Sequence, residues 1–394
     1  MRAHVPIPSH LVLLHEADDL QRSLAARLRI SDLRDHAHAR PGMSVLGSAC
    51  GQYVSRLYHS LGLLCGHFTE DQVKACEDAR EVALVARNER RRVPVHLDET
   101  HAPATHDITP CADPLSLIGM SADYDRFSGE AVRIALLDTG IDLRHPDFAG
   151  RFQEGKNAVS FVAGESVQDG LGHGTHCAGV VAGPRVPTAG ERFAVAPGAE
   201  LLIGKVLGDS GLGNDDQVID GIHWALHQGA RVISLSLGSS REPGDAGSAM
   251  YEHLARRTLH REHGALLIAA TGNESSRPDE VAAVENPAAA ASVMAVAAVD
   301  GDDEVAYFSG GQRDAVGEVN VAAPGVGIRS TWLGGTYRAV SGTSMATPHV
   351  AGVAALHLEQ SPTLSPQALW QRLQDQARPT GAEVDVGNGV VQAP

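Results

Sequence analysis

The sequence predicts an α/β protein in two units: a small α/β unit, then a larger domain built on a parallel sheet with helices on both faces. Three observations carry this. From about residue 115 onward, near-continuous apolar segments alternate with helical spacing, as strands covered on both faces require. The first hundred residues follow another rhythm: strand, helix, strand, strand, helix, strand. Between them lies Leu97–Pro114, LDETHAPATHDITPCADP, rich in Pro, Thr, Asp and His and without periodicity, which reads as a linker. The expected units are residues 1–96, a linker over 97–114, and residues 115–394.

In order along the chain, His10–His15 is a short apolar run with strand character. Asp18–Arg29 spaces Leu20, Leu24 and Leu28 as a helix does. Tyr53–Leu57 and Leu61–Phe68 read as strands. Thr69-Glu70-Asp71 opens a helix carrying Val73, with Thr69 as its N-cap, and Val82–Ala86 closes the unit as a buried strand. In the second unit the strands are Val132–Leu137, Leu201–Val206, Val232–Leu237, Ala265–Ala270 and Ser292–Val299. Parallel sheets present ligands at the carboxyl ends of their strands, so the chemistry is sought there.

Composition narrows the function. The 394 residues are 43% hydrophobic and 20% charged, which fits a globular chain and argues against disorder. A formal net charge of −16 lacks the basic excess of a nucleic-acid binder. The acidity is uneven: residues 1–110 hold 14 acidic and 13 basic side chains, the remainder 34 and 19. The longest uncharged apolar run, Ala288–Val299, is too short to cross a membrane, and no membrane partner is expected. The start, MRAHVPIPSHLVLLHEADD, has no apolar core of signal-peptide length. The chain as written therefore reads as cytoplasmic, and as secreted if a signal precedes this start. Cys50, Cys65, Cys76, Cys111 and Cys177 form an odd set without metal-ligand spacing and read as reduced thiols.

Four motifs fall at strand ends or helix starts. Asp138, in DTGID, follows the strand VRIALL; His173, in GHGTHCAGVVAG, opens a Gly/Ala-rich helix. Asn273, in AATGN, follows ALLIAA, and Ser344, in SGTSMATPHVAGVAAL, opens a long helix. A serine hydroxyl needs a neighbouring base to become a nucleophile, and His173 is the candidate. Asp138 would fix the imidazole tautomer, and Asn273 would offer an amide to the developing oxyanion. Pro348 lacks an N–H and weakens the helix just after the serine. Singly, each residue has a plain structural reading: a turn, a packed histidine, or N-caps at Ser341 and Ser344. His176 and His349 read as packing residues.

Acid, histidine and serine in that chain order, in these motifs, make the chain from about Asp113 to its C-terminus resemble the subtilases, the subtilisin-like serine peptidases. The resemblance implies a subtilisin-like catalytic domain and hydrolysis of peptide bonds through an acyl-enzyme, with no cofactor. Two other protease readings fail on fold. Gly208-Asp209-Ser210-Gly211 with His176-Cys177 resembles the chymotrypsin pattern, but the spacing cannot hold two β-barrels. Asp138-Thr139-Gly140 with Asp209-Ser210-Gly211 imitates the aspartic proteases, but no full lobe fits between them. A catalytically silent binding protein on the same fold, and a maturation protease dedicated to one intracellular partner, are the rival readings.

The resemblance also assigns substrate contacts. Ser236-Leu237-Gly238 resembles the wall of the S1 pocket, and Gly211-Leu212-Gly213 the opposite strand against which substrate pairs. Asn286-Pro287 resembles the pair after the pocket floor, which places Glu285 on that floor facing a basic P1 side chain, the residue before the scissile bond. Residues 1–96, notably LLCGHFTEDQVKACEDAREVALVAR, resemble the ferredoxin-like propeptides that inhibit these enzymes, with processing expected in 97–114. Asp147, in HPDF, matches a calcium ligand of many subtilases. Its companion loop here reads AGPRVPTAGERFAVAP, so no metal is expected there.

Overall fold

A seven-stranded sheet, parallel at every pairing, forms the centre of the computed structural model. The structure describes residues 8–14, 30–32, 43–48, 54–58, 61–80, 82–94, 109–121, 124, 126–261 and 264–394. In the N-terminal unit these include β1 (His10–Leu14), β2 (Ile30–Asp32), β3 (Met43–Ser48), β4 (Val54–Tyr58), β5 (Leu63–Gly66), α1 (Glu70–Glu77) and β6 (Val82–Arg87). They pair antiparallel in the order β2-β3-β4-β5-β1-β6. β2 and β3 add two strands to the expected pattern; MSVLGS carries Ser and Gly, which depress strand propensity. The helix expected over Asp18–Arg29 lies outside the described residues. Thr69 caps α1 as expected, accepting from Gln72 N–H while Gln72 Oε1 accepts from Thr69 N–H at 2.9 Å.

Alternation along β1 explains its unbroken apolar run. Val12 and Leu14 pack with Leu57, Leu64, Phe68 and Cys76 under α1. Leu11 and Leu13 face the other way, with Tyr58, Leu61 and Leu63, onto the larger domain. There they meet Ile219, Met250 and Leu254. Those three belong to α4 (Asp215–His227) and α5 (Ala249–Leu259). The rim of this contact is charged: Arg56 pairs with Asp216 at 2.5 Å and with Asp220, and Tyr58 donates to Asp220 at 2.5 Å.

After β6 the chain forms β7 (Arg90–Arg92), then α2 (Pro114–Leu117), which starts at the last residue of the stretch expected as linker. Asp113 caps α2 and Pro114 is preorganised for a helix start. The large sheet contains β8 (Arg133–Asp138), β9 (Ala158–Ser160), β10 (Glu200–Lys205) and β12 (Val232–Leu235). It is completed by β13 (Leu266–Ala270), β14 (Met294–Val299) and β15 (Val321–Pro324). Their order is β15-β14-β13-β12-β8-β10-β9. β12 to β15 are buried at every residue, which is why their sequences are nearly all apolar. Each expected strand is present with ends shifted by one or two residues; β9 and β15 were not expected. Helices α3 (His173–Ala182) and α6 (Thr343–Gln360) pack on one another beside the sheet and bring their N-termini to its carboxyl edge. Among the described residues no helix is long and apolar enough to cross a membrane.

Candidate active site

Each predicted chemical residue stands where an element begins or ends. Asp138 is the last residue of β8, His173 the first of α3, and Ser344 the second of α6. His173 Nδ1 lies 2.7 Å from Asp138 Oδ1, which also accepts Thr139 N–H at 2.7 Å. A carboxylate at Nδ1 holds the proton there and turns Nε2 into the basic nitrogen. The loop before α3 is organised by a buried residue that sequence reading missed. Asp169 accepts from Gly172 N–H at 2.8 Å and from Thr175 N–H and Oγ1–H at 2.9 and 2.7 Å. Its signal was available: an acid four residues before a helix start, in QDGLGH, beside glycines whose N–H groups need acceptors.

Ser344 connects to the wall of the cleft through its carbonyl. Pro348 cannot donate to Ser344 O, so that carbonyl has no helical partner. It accepts Ser236 Oγ–H at 2.9 Å and the Cys177 thiol at 3.5 Å. Cys177 Sγ, an Asp138 oxygen and a His173 nitrogen all lie within 4.8 Å of one another. Ser344, His173 and Asp138 are thus gathered around one buried thiol, and Ser344 Oγ has no hydrogen-bond partner among the described residues. Asn273 Oδ1 accepts Thr343 N–H at 2.9 Å and Thr343 Oγ1–H at 2.8 Å. This fixes the amide and turns Nδ2 toward Gly342; a Cβ on Gly342 would stand 3.0 Å from it.

The predicted substrate segments enclose a strand, and that strand is the chain's own. β7 runs antiparallel to β11 (Leu212–Asn214), with Arg92 opposite Leu212 and Arg91 opposite Gly213. On its other side Arg92 N–H donates to Gly238 O and Gly238 N–H to Arg92 O, each at 2.9 Å. Val93 N–H donates to Gly211 O at 2.9 Å. Gly211, Leu212, Gly213 and Gly238 therefore act as two walls of one groove, with Leu237 and Ser236 leading back to Ser344.

Glu285 lies beside the Gly238 wall and Gly272, 2% exposed. It fits because two glycines leave room: a Cβ on Gly238 would meet its Oε2 at 2.2 Å, and one on Gly272 its Cγ at 2.6 Å. Arg92 Nη2 is 3.3 Å from Glu285 Oε1 and also pairs with Glu274. Glu274 was not singled out in the sequence, although it directly follows Asn273. A cavity of about 150 Å³ opens here, lined in part by Glu274, Glu280, Ala283 and Glu285. Burial pushes the Glu285 carboxyl up to about 7, with the neighbouring Arg92 pulling the other way. Glu285 Oε2 is buried and finds no partner among the described residues.

The remaining candidates are structural in their surroundings. Asp147 Oδ1 accepts Thr188 N–H and Oγ1–H, and Oδ2 accepts Tyr337 O–H, all at 2.8 Å. Asp209 accepts from Lys205 Nζ at 2.6 Å and Gly170 N–H at 3.0 Å. His176 Nε2 lies 2.9 Å from Ile328 O and His349 Nδ1 2.8 Å from Met345 O. Burial lowers the His349 imidazole to about 4. Cys65, Cys76, Cys111 and Cys177 are buried free thiols.

Comparison with known proteins agrees with this geometry. The Subtilase family profile matches residues 129–389. Subtilisin Savinase of Lederbergia lenta is 39% identical over 71% of this chain and 96% of its own length. Subtilisin E of Bacillus subtilis is 34% identical over 86% of this chain and 82% of its own. A crystal structure of a cold-adapted subtilisin-like serine proteinase superposes with a TM-score of 0.55 at 31% identity, covering 68% of this chain and 89% of that one. By sequence, extent and fold, the chain belongs to the subtilase family and is a serine endopeptidase of the subtilisin type.

Proposed function

We propose that Asp138, His173 and Ser344 are the catalytic triad of this endopeptidase and that Asn273 supplies an oxyanion donor. Ser344 Oγ attacks the scissile carbonyl carbon while His173 Nε2 takes its proton. The new oxyanion is met by Asn273 Nδ2 and by backbone N–H groups at the start of α6. The C–N bond then breaks as His173 returns the proton to the leaving amine, and water repeats the sequence on the acyl-enzyme. Asp138 carries no proton through the cycle; it stabilises the imidazolium. The reaction calls for no cofactor. The three hydrogen bonds already made to the Asp147 carboxylate support the reading that this position holds no calcium.

Residues 1–96 are read as an inhibitory unit, 97–114 as the connection where processing occurs, and 115–394 as the peptidase. One observation carries this reading: β7 lies between 211–214 and Gly238 as an added strand, the way a peptide substrate would. Preferred substrates are peptides with Arg or Lys at P1, for which Glu285 and Glu274 supply the counter-charge. Among the described residues Cys65, Cys76, Cys111 and Cys177 are free thiols, so this part of the fold depends on no disulfide. A fluorophosphonate probe tests the core of the proposal. It should label Ser344 in processed enzyme and leave Ser344→Ala unlabelled. Absence of labelling in active-site-accessible wild type would favour the silent binding protein instead.

A further inference from the structure

Lys74 and Lys156 are exposed, whereas Lys205 is completely buried, and the reaction described above gives it no part. A lysine is almost never fully buried unless it is paired. Lys205 ends β10 and lies opposite Asp138 in the parallel register with β8. The N–H groups of the next two residues, Val206 and Leu207, both donate to Asp138 O, at 2.9 and 3.1 Å. An ammonium has three N–H bonds to place. Lys205 Nζ lies 2.7 Å from Thr139 O, 2.6 Å from Asp209 Oδ1 and 3.3 Å from Glu165 Oε2.

These contacts lead to both sides of the Asp138–His173 pair. Thr139 directly follows Asp138 and donates its N–H to Asp138 Oδ1. The Thr139 hydroxyl donates to Asp169 Oδ1 at 3.0 Å and accepts Gly174 N–H at 2.9 Å. Asp209 Oδ1 accepts Gly170 N–H at 3.0 Å as well as the ammonium, and Gly170 stands three residues before His173. A Cβ on Gly170 would lie 2.4 Å from Asp209 Cγ, so this close approach needs glycine. Glu165 Oε2 accepts Asp209 N–H at 3.0 Å and braces the acid from behind. The ammonium therefore ties the turn after Asp138 to the loop before His173. We propose that Lys205 and Asp209 form a latch that positions Asp138 and His173 for proton transfer, acting through Thr139 O and Gly170 N–H. With the latch open, the Thr139 hydroxyl still joins turn and loop, so the fold persists while the alignment loosens. This inference rests on Asp138, His173 and Ser344 being the triad.

The test compares processed wild type with Asp209→Ala, which opens the latch but leaves Glu165 beside Lys205, and with Asp209→Asn, which keeps one oxygen acceptor. Labelling by a small alkyl fluorophosphonate, carried to completion, counts the active fraction, so a folding loss is not read as kcat. Per active site, kcat on a peptide should fall by about 10- to 100-fold in Asp209→Ala, as displacement of a catalytic group by up to about 1 Å does. KM should stay within about twofold of wild type, because the latch holds the triad and not the substrate. Asp209→Asn should lie between the two. The probe spans none of the groove yet needs His173 to activate Ser344, so its labelling rate should fall by the same factor as kcat. Lys205→Met should lose at least as much; if it does not fold, Asp209→Ala carries the test alone. An unchanged kcat in Asp209→Ala, a change confined to KM, or an unaltered labelling rate overturns the latch. Ser344→Ala separates the underlying reading. If that variant still turns over peptide, the triad itself is wrong; if it is inert while Asp209→Ala is unimpaired, only the latch is wrong.

Discussion

Arg92 and Gly238 exchange two backbone hydrogen bonds of 2.9 Å, pairing a residue of the N-terminal unit with the wall of the peptidase groove. Because both lie on one chain, a substrate competes for that groove against a tethered strand at high effective concentration. The tether is reinforced outside the groove by the apolar contact of Leu11, Leu13 and Tyr58 with Ile219, Met250 and Leu254. The intact chain should therefore be nearly inactive on peptides.

Activity should appear with cleavage of the connection, and the cleavage should depend on Ser344. Thr109 O accepts from Gly301 N–H at 2.7 Å and Cys111 N–H donates to Val326 O at 2.9 Å, so the chain from Thr109 on is already fixed to the peptidase domain. The new N-terminus is expected between residues 95 and 108, inside or just before the stretch nominated from sequence. Intact-mass measurement over time locates it. A Ser344→Ala chain cut at the same bond, or a wild type active at full length, would remove self-processing from the account.

Release of the severed unit should be limited by its charged rim. Arg56 joins Asp216 and Asp220 across the contact, with Tyr58 on the same acid. Removing the cation strands two buried carboxylates against the N-terminal sheet. Arg56→Ala should speed the rise of fluorophosphonate labelling after cleavage by about tenfold or more. An unchanged rate would show that the apolar face and β7 alone set release.

Asn273→Asp isolates the oxyanion donor. The aspartate keeps an oxygen for Thr343 N–H and Oγ1–H but loses the Nδ2 donor. A fall in kcat of about 100- to 1000-fold with little change in KM is expected. A comparable fall in KM-weighted binding alone would place Asn273 in ground-state contact and not in the transition state.

The parallel sheet and the motif-bearing residues were legible because local sequence dictates them: buried strands must be apolar, and Asp138, His173 and Ser344 sit at element ends. What was not legible depends on the third dimension. Asp169 works through donors around the α3 start, and Asp215 through an arginine more than a hundred residues away. β2 and β3 carry too little strand pattern to be read alone. Pro348 was read as a weakness of α6; its consequence, a Ser344 carbonyl turned over to Ser236, shows only when the two are placed together.

Glu285 gives the last prediction a pH axis. Its carboxyl, raised from an ordinary 4.5 to about 7, is mostly neutral at pH 6 and mostly ionised at pH 8. Attraction for a basic P1 therefore grows as pH rises through 7. The kcat/KM ratio of P1 Arg over P1 Leu, in otherwise identical peptides, should climb between pH 6 and 8 in wild type. In Glu285→Gln it should be lower and flatter, with Glu274 alone remaining at the pocket. The same shift has a folding consequence of opposite sense. Between about 4.5 and 7 the native state holds a proton that the unfolded chain has lost, so this residue lowers stability as pH rises through that window. Glu285→Gln should remove that slope from the pH dependence of unfolding. A P1 preference for Leu or Phe in wild type, or a ratio unchanged by the substitution, would take Glu285 out of the pocket.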